Sequence, residues 1–389
     1  MLGDMATSLT TQQKRAAIAG AVGNTVEWFD WSTYALFAVY FGPQFFPSSS
    51  PTTAVLQSLA VFAVGFVARP VGSVVLGRVT DRLGRRTALA ATILITAAAS
   101  FGIGLLPTAA SIGVAAGLLV LLLRLIQGFA LGGETGAASA FLAESAPSNR
   151  RATFTSIYST SVVLGTLLGV LLGTGLTLTL SRAQLDSFGW RIPFIFGGIL
   201  GIVGLFVRRS ISETLDRETP APKRPLVLAW REWRPAMLFT FFVMSAVTLG
   251  FFTFVAGFTS FAVSRGVDDS TAFVANGVSL VALIVLIPLG GALSDRLGRR
   301  PVLIAGFVGL IVTMPISLAL MSLAPDSWTV FVASLVVDIP FAAAFGTAIA
   351  AMVERFPPHL RGTGFGFSYA MATAIFGGTA PFVAAFFSG

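Results

Sequence analysis

The feature that most constrains this chain is its succession of long apolar runs, several of which reach the ~20 residues a helix needs to cross the hydrocarbon core of a bilayer. Segments 54–77 and 236–263 are examples. In lipid the backbone must satisfy its own hydrogen bonds, so only helices or closed barrels span. The runs are continuous and lack the alternation of a barrel strand. An all-α polytopic membrane protein is therefore expected. Eleven spans are read, at 17–41, 54–77, 88–106, 112–142, 152–180, 192–208, 236–263, 271–293, 301–322, 328–353 and 362–387. A length of 389 residues would suit two soluble domains, but 55% hydrophobic and 11% charged residues exclude them. Many of the 41 glycines sit inside spans. There small residues let helices approach, which accounts for the ladder Gly165, Gly169 and Gly173.

Loop charge sets the expected orientation. Lys14 and Arg15 precede the first span, and Arg78, Arg82, Arg85 and Arg86 fill the second loop. Arg150 and Arg151 lie in the fourth loop. The sixth holds Arg208, Arg209, Arg217, Lys223, Arg224, Arg231 and Arg234. Arg296, Arg299 and Arg300 follow in the eighth, and Arg355 and Arg361 in the tenth. The N-terminus and even loops thus hold 20 of the 25 basic residues, which places them in the cytoplasm by the positive-inside rule. The net charge of +8 is then topological and needs no nucleic acid. The first 16 residues are polar and the first apolar run contains acids, unlike a cleaved signal peptide. Without cysteine, and with His359 as the lone histidine, there is no disulfide, thiolate site or histidine metal cluster. No cofactor and no enzymatic activity are expected, because neither a phosphate loop nor a nucleophile–histidine arrangement is visible.

The chain repeats itself. Gly77, Asp81, Arg82, Gly84, Arg85 and Arg86 recur as Gly291, Asp295, Arg296, Gly298, Arg299 and Arg300. Glu144-Ser-Ala-Pro147-Ser-Asn-Arg150-Arg151 is echoed by Glu354-Arg-Phe-Pro357-Pro358-His-Leu-Arg361. The first pattern follows the second span of each half, and the second follows the fourth. The expected organisation is a cytoplasmic N-terminus at 1–16, a six-helix bundle at 17–208, a cytoplasmic linker at 209–235 and a second bundle at 236–389. Parallel repeats of this kind place a substrate site at the midplane, between halves that rock. The two Asp-containing loops are expected to tie the cytoplasmic side shut in one state, Asp81 and Asp295 accepting from arginines of neighbouring helix ends. Simple anchoring by positive charge would require neither the Asp nor the Gly.

These two loops resemble those of major facilitator transporters. Further segments resemble the metabolite:proton symporter family within that superfamily. They are Gly23-Asn24-Thr-Val-Glu27-Trp28-Phe29-Asp30, Ala68-Arg69-Pro70-Val-Gly72, the run from Arg124 through Gln127-Gly128 to Gly132-Gly133-Glu134, and Gly189-Trp190-Arg191-Ile192-Pro193-Phe194. Ser368-Tyr369 and Ile375-Phe376-Gly377-Gly378 fit as well. The resemblance runs from about residue 20 to 389. It includes permeases for alpha-ketoglutarate, citrate, shikimate and proline/betaine, and Phe45–Pro47 and Ile375–Gly378 are most like the alpha-ketoglutarate members. Two departures stand out. The family's Gly-Gly-Glu-Tyr is Gly132-Gly133-Glu134-Thr135 here. The family's fold has two pseudo-symmetric six-helix bundles, whereas eleven spans leave the second bundle with five helices and the twelfth apparently missing.

Charges inside spans are costly and point to function. The set is Glu27, Asp30, Arg69, Arg124, Glu134 and Asp338. Arg124 is always charged and its fork suits a carboxylate, so it is the candidate substrate ligand, with Arg69 second. Asp30 and Glu27, one turn apart, are the candidate proton carriers by position and resemblance, with Glu134 beside them. Asp30 is expected to pair with Arg124 when the site is empty. A permanent structural pair is the alternative. Trp28, Phe29, Trp31 and Tyr34 flank the acids and are expected at a pocket. The resemblance implies a monomeric proton-coupled symporter of the plasma or inner membrane that imports a small organic acid of the alpha-ketoglutarate kind. A proline/betaine-type zwitterion importer is the alternative. A transporter-like receptor or non-transporting remnant is the alternative from another class.

Overall fold

A computed structural model describes residues 10–48, 50–209, 223–256, 261–263, 265–324 and 326–378. Its long helices are α1 (Thr11–Phe45), α2 (Pro51–Leu83), α3 (Arg85–Leu105), α4 (Ala115–Ser145), α5 (Arg151–Thr179) and α6 (Arg191–Arg209). They continue as α7 (Arg234–Gly250, extended by a π-helical turn, Phe251–Ala256), α8 (Asp269–Leu297), α9 (Arg299–Leu323), α10 (Ser327–Val353) and α11 (Gly366–Phe376). No strand occurs among the described residues. Among the described residues nine helices, α2 to α10, are long and apolar enough to cross a membrane. Of the other two, α1 carries Lys14, Arg15, Glu27 and Asp30 along its 35 residues. The expected eleventh span, 362–387, runs beyond Gly378 and out of the described residues.

Three boundaries differ from the sequence reading. Helix α1 begins at Thr11, whose N-cap Thr10 forms a reciprocal box with Gln13, so 11–16 is helix rather than tail. The fourth span does not start at 112, because a short helix, Ala109–Ile112, ends there and Gly113 (φ 61°) turns the chain before α4. Within the expected linker, Pro225–Glu232 is a helix capped by a prolyl first turn; residues 210–222 lie outside the described residues.

The sharp reversals between α2 and α3 and between α8 and α9 each rest on one residue. Gly84 and Gly298 take φ of 108° and 95°, a region that side chains resist. The packing is that of a protein in lipid. Val67, Val71 and Val75 of α2 and Val274, Val278, Val281 and Val285 of α8 turn outward, while polar side chains are collected inside. Helix α2 packs on α4, α1 on α5, α3 on α6, and α10 on both α8 and α9. Across the repeats, α5 meets α8 and α10, and α2 meets α11. These contacts bring α2, which carries Arg69 and Asp81, against the second repeat.

Candidate functional site

Four positions of the α1 motif do four different things. Gly23 leaves a lane: a Cβ there would collide with the guanidinium of Arg208. Asn24 donates to the Tyr158 carbonyl at 2.9 Å and to Ser161 Oγ at 2.8 Å, fixing α1 on α5. Glu27 and Asp30 then point into the first repeat, both fully buried.

Asp30 is saturated. Its Oδ2 accepts from Arg124 Nη1 at 3.1 Å and from Gln127 Nε2 at 2.8 Å, and its Oδ1 accepts from Ser100 Oγ. Arg124 and Gln127 are one turn apart on α4, which is why both reach one carboxylate. The Arg124 guanidinium lies 3.8 Å above the Tyr34 ring and 5.3 Å from that of Trp31. Its Nε and Nη2 are buried without hydrogen-bond partners. Tyr34 is held by its hydroxyl on the Ser58 carbonyl at 3.1 Å.

A second buried pair lies nearer the basic end. Arg208 Nη1 donates to Glu134 Oε2 at 2.8 Å, Nη2 donates to Oε1, and Thr92 Oγ1 donates to the same carboxylate. Arg208 also donates to the Leu89 carbonyl at 2.7 Å. Reading Arg208 as a loop charge is thereby corrected. It is fully buried, because Gly23 admits it and Glu134 neutralises it. Both oxygens of Glu27 lack any hydrogen-bond donor. The charges acting on Glu27 are those of Glu134, Arg208, Arg69 and Asp30.

A cleft between the repeats holds about 300 Å³ of empty space, part of it open to the surroundings. The first repeat supplies Trp28, Phe66, Arg69 and Val162; the second supplies Phe251, Phe345 and Tyr369 among others. Arg69 lies over Phe66 at 3.5 Å and Trp31 at 4.6 Å, and its Nε and Nη2 are buried and unbonded. Of the expected pocket residues, Trp28 and Arg69 line this cleft. Arg124, Tyr34, Trp31 and Phe29 sit behind it, in the packing of the first repeat. Beside the cleft, Ser159 Oγ of α5 donates to the Phe345 carbonyl of α10 at 2.9 Å.

The repeated loops meet at the basic end as a pseudo-twofold lock. Asp81 accepts from the backbone N–H groups of Gly362 and Thr363, both at 3.0 Å, and from Thr363 Oγ1 at 2.8 Å. Asp295 accepts from the N–H groups of Ala152 and Thr153 at 2.9 and 2.8 Å, and from Thr153 Oγ1 at 2.7 Å. Asp295 thus caps the first turn of α5 and Asp81 the π-helical turn Arg361–Phe365 that leads into α11, where unpaired N–H groups favour an anion. The expected arginines are there as well: Arg299 Nη1 donates to Asp295 Oδ1 at 2.7 Å and Arg85 lies 3.8 Å from Asp81, while backbone amides of the other repeat supply donors that were not expected. The arginines brace the lock. Glu144 accepts from Arg85 at 2.9 Å and from Arg361 of the other repeat at 3.2 Å. Glu354 pairs with Arg299 at 2.9 Å and with Arg151 of the other repeat at 3.7 Å. Gly77 and Gly291 let the repeats touch: a Cβ would lie 3.0 Å from the Gly362 carbonyl oxygen and 2.8 Å from that of Ala152. Arg82, Arg296 and Arg300 are exposed, as anchoring charges would be, and Arg86 reaches the Arg209 carbonyl at 2.7 Å.

The sequence profile of the Major Facilitator Superfamily matches residues 20–381. The chain belongs to that superfamily. Major facilitators are transporters and not enzymes. Alpha-ketoglutarate permease of Escherichia coli K12 is 38% identical over 97% of this chain and 88% of its own length. A citrate-proton symporter of Salmonella typhi is 34% identical over 96% and 88%. The shikimate transporter of Escherichia coli K12 is 33% identical over 98% and 89%. A solved proton:xylose symporter with bound 6-bromo-6-deoxy-D-glucose superposes with a TM-score of 0.75 at 16% identity, covering 98% of this chain and 88% of that one, and shows the same fold.

Several residues of this major facilitator site went unassigned in the sequence. Gln127 stood one turn from Arg124 in a quoted motif, and that spacing was the available signal. Glu144 and Glu354 are visible as a repeat without a role, and Arg151 and Arg361 as loop charges alone. Ser100 and Thr92 carried no signal, since hydroxyls are unremarkable in a span.

Proposed function

We propose that this chain is a proton-coupled symporter of the inner membrane that imports a small mono-, di- or tricarboxylate of the alpha-ketoglutarate kind by alternating access. The observation that carries this reading is Arg69. It lines the cleft, is buried, and its Nε and Nη2 have no acceptor among the described residues. A substrate carboxylate satisfies that fork. Arg124 is the reserve ligand, engaged by Asp30 until a proton neutralises the carboxylate. Protonation of Asp30 loosens Arg124 toward the cleft, and Glu27, free of hydrogen bonds, passes protons between the Asp30 and Glu134 pairs. The basic end faces the cytoplasm by its loop charge, so the lock of Asp81 and Asp295 closes the inner side and opens in the other half of the cycle. The organic-acid and proton-symporter names of the relatives at 33–38% identity support the same class.

A zwitterion such as proline or betaine is the second reading. Trp28, Phe66, Phe251, Phe345 and Tyr369 line the cleft with rings that suit an alkylammonium. A putative proline/betaine transporter of Staphylococcus aureus is 31% identical over 95% of this chain and 81% of its own length.

The test is uptake of radiolabelled alpha-ketoglutarate into proteoliposomes under an inward proton gradient, with unlabelled citrate, shikimate, proline and betaine as competitors. Gradient-dependent uptake blocked by carboxylates is the expected result. Competition by betaine or proline alone selects the second reading. Binding without uptake selects a receptor and overturns both.

A further inference from the structure

One buried acid is used neither by the lock nor by the networks of α1. Asp338 lies about three turns into α10, far from either helix end. It is 4% exposed. Its Oδ1 accepts from Ser279 Oγ of α8 at 2.9 Å, and its Oδ2 has no partner. Asn276, one turn before Ser279 on the same face of α8, is also buried and leaves its Oδ1 unpartnered.

No counter-charge reaches Asp338. On α8 the charges are Asp269, its first residue, and Asp295 and Arg296 at the basic end, and Asp295 caps α5. Helix α9 offers Arg299, held by Glu354, and Arg300. From α5 come Arg151 and Tyr158, from α7 Arg234, and from α4 Arg124, Glu134 and Glu144. Arg361, before α11, is held by Glu144. Among the described residues none of these pairs with Asp338, which is buried and accepts a hydrogen bond from Ser279 alone. An ionised carboxylate in such a place is heavily penalised. A proton on Oδ2 removes the charge and turns an orphaned acceptor into a donor beside a face that carries another orphaned acceptor.

We propose that Asp338 is a second protonation site, carried by the second repeat and separate from the Asp30–Arg124 pair, which holds a proton in the arrangement seen here. A proton suits the site better than a metal cation, because among the described residues the two helices supply four side-chain oxygens, two from Asp338 and one each from Ser279 and Asn276, fewer than the roughly six or more that hard cations take. Helix α10 also lines the cleft, through Phe345. Movement of α10 during a cycle therefore changes the access of water to Asp338. The consequence for transport, one further proton per cycle, rests on the importer reading; the protonation itself does not.

The experiment is accordingly free of substrate. Infrared difference spectra of the purified chain in lipid nanodiscs are recorded across neutral pH, for the unaltered chain, Asp338→Asn and Ser279→Ala. The expected result is a protonated-carboxyl stretching band at neutral pH that is lost in Asp338→Asn and shifted in frequency in Ser279→Ala, where the carboxyl persists without its donor. An undiminished band in Asp338→Asn overturns the proposal. If that variant does not fold, an unshifted band in Ser279→Ala overturns it. A band that emerges only when sodium is replaced by choline overturns it in favour of a sodium site. Failure of alpha-ketoglutarate uptake leaves all these spectra unaffected and separates the two readings.

Discussion

Asp81 and Asp295 stand at equivalent places in the two repeats, and each accepts three hydrogen bonds from the start of a helical segment in the opposite repeat. The reciprocity gives one end of the molecule two similar latches that must open together. Hydrogen bonds to a charged acceptor contribute ~1.5–3 kcal/mol each. Replacing Asp81 and Asp295 together by Asn should therefore shift the closed–open balance at the basic end by at least about tenfold. The chain has no cysteine, so spin labels placed at the exposed positions Leu83 and Leu297 report this directly. The expected outcome is a longer-distance population in the double variant. An unchanged distance distribution would assign the latches no part in closure.

Asp30→Asn keeps the shape of the side chain and removes the charge: its oxygen can still accept from Gln127, and its amide nitrogen donates to Ser100 Oγ, whose own proton goes to the Phe194 carbonyl. Gradient-driven accumulation of alpha-ketoglutarate should fall at least about tenfold, one ~1.4 kcal/mol step. Exchange of internal for external substrate should persist. Loss of both activities, or of neither, would assign Asp30 a structural role instead.

Arg69→Lys retains the charge but not the planar fork. Equilibrium binding of alpha-ketoglutarate should weaken by about 10–100-fold, the range given by losing one charge-assisted hydrogen bond of ~1.5–3 kcal/mol. Isothermal titration on the purified chain measures it. An effect confined to Arg124→Lys would move the carboxylate ligand from the cleft wall to the pair behind it.

The Glu134–Arg208 pair predicts a stability pattern of its own. Removing one partner of a buried pair strands the other charge, at a cost of ~3–5 kcal/mol. Glu134→Gln and Arg208→Met should each lower the midpoint of thermal unfolding in detergent. The double variant should recover most of the loss, since it buries no net charge. Two additive losses would show that the carboxylate and guanidinium do not act as a pair.

Much of this was legible in the sequence because membrane solvation leaves few options. Apolar length fixed where the helices run. Each expected span coincides with a helix wherever the structure describes it, although α1 begins and α2 ends about six residues beyond the expected limits and the break at Gly113 delays α4. The repeated Gly-x-x-x-Asp-Arg-x-Gly-Arg-Arg loop located the latches, and Gly84 and Gly298 are there because only a residue without Cβ adopts φ near 100° easily. The charges inside spans singled out Glu27, Asp30, Arg69, Arg124, Glu134 and Asp338 as candidates, and all six are buried.

Partnership was decided by the tertiary structure. Arg208 ends an apolar run beside Arg209, so by position it reads as a topological charge. Only the lane at Gly23 and the nearness of α4 make it the counter-ion of Glu134. Arg124 and Arg69 look alike as lone arginines in spans, yet α4 turns one toward Asp30 while α2 presents the other to the cleft. Asp81 meets Gly362 and Thr363 at a separation of 281 and 282 residues, which no local pattern encodes. Apolar burial in lipid acts on each segment independently and is readable one helix at a time. Pairing of charges depends on which faces meet after the helices pack, and that is settled only by the assembled bundle.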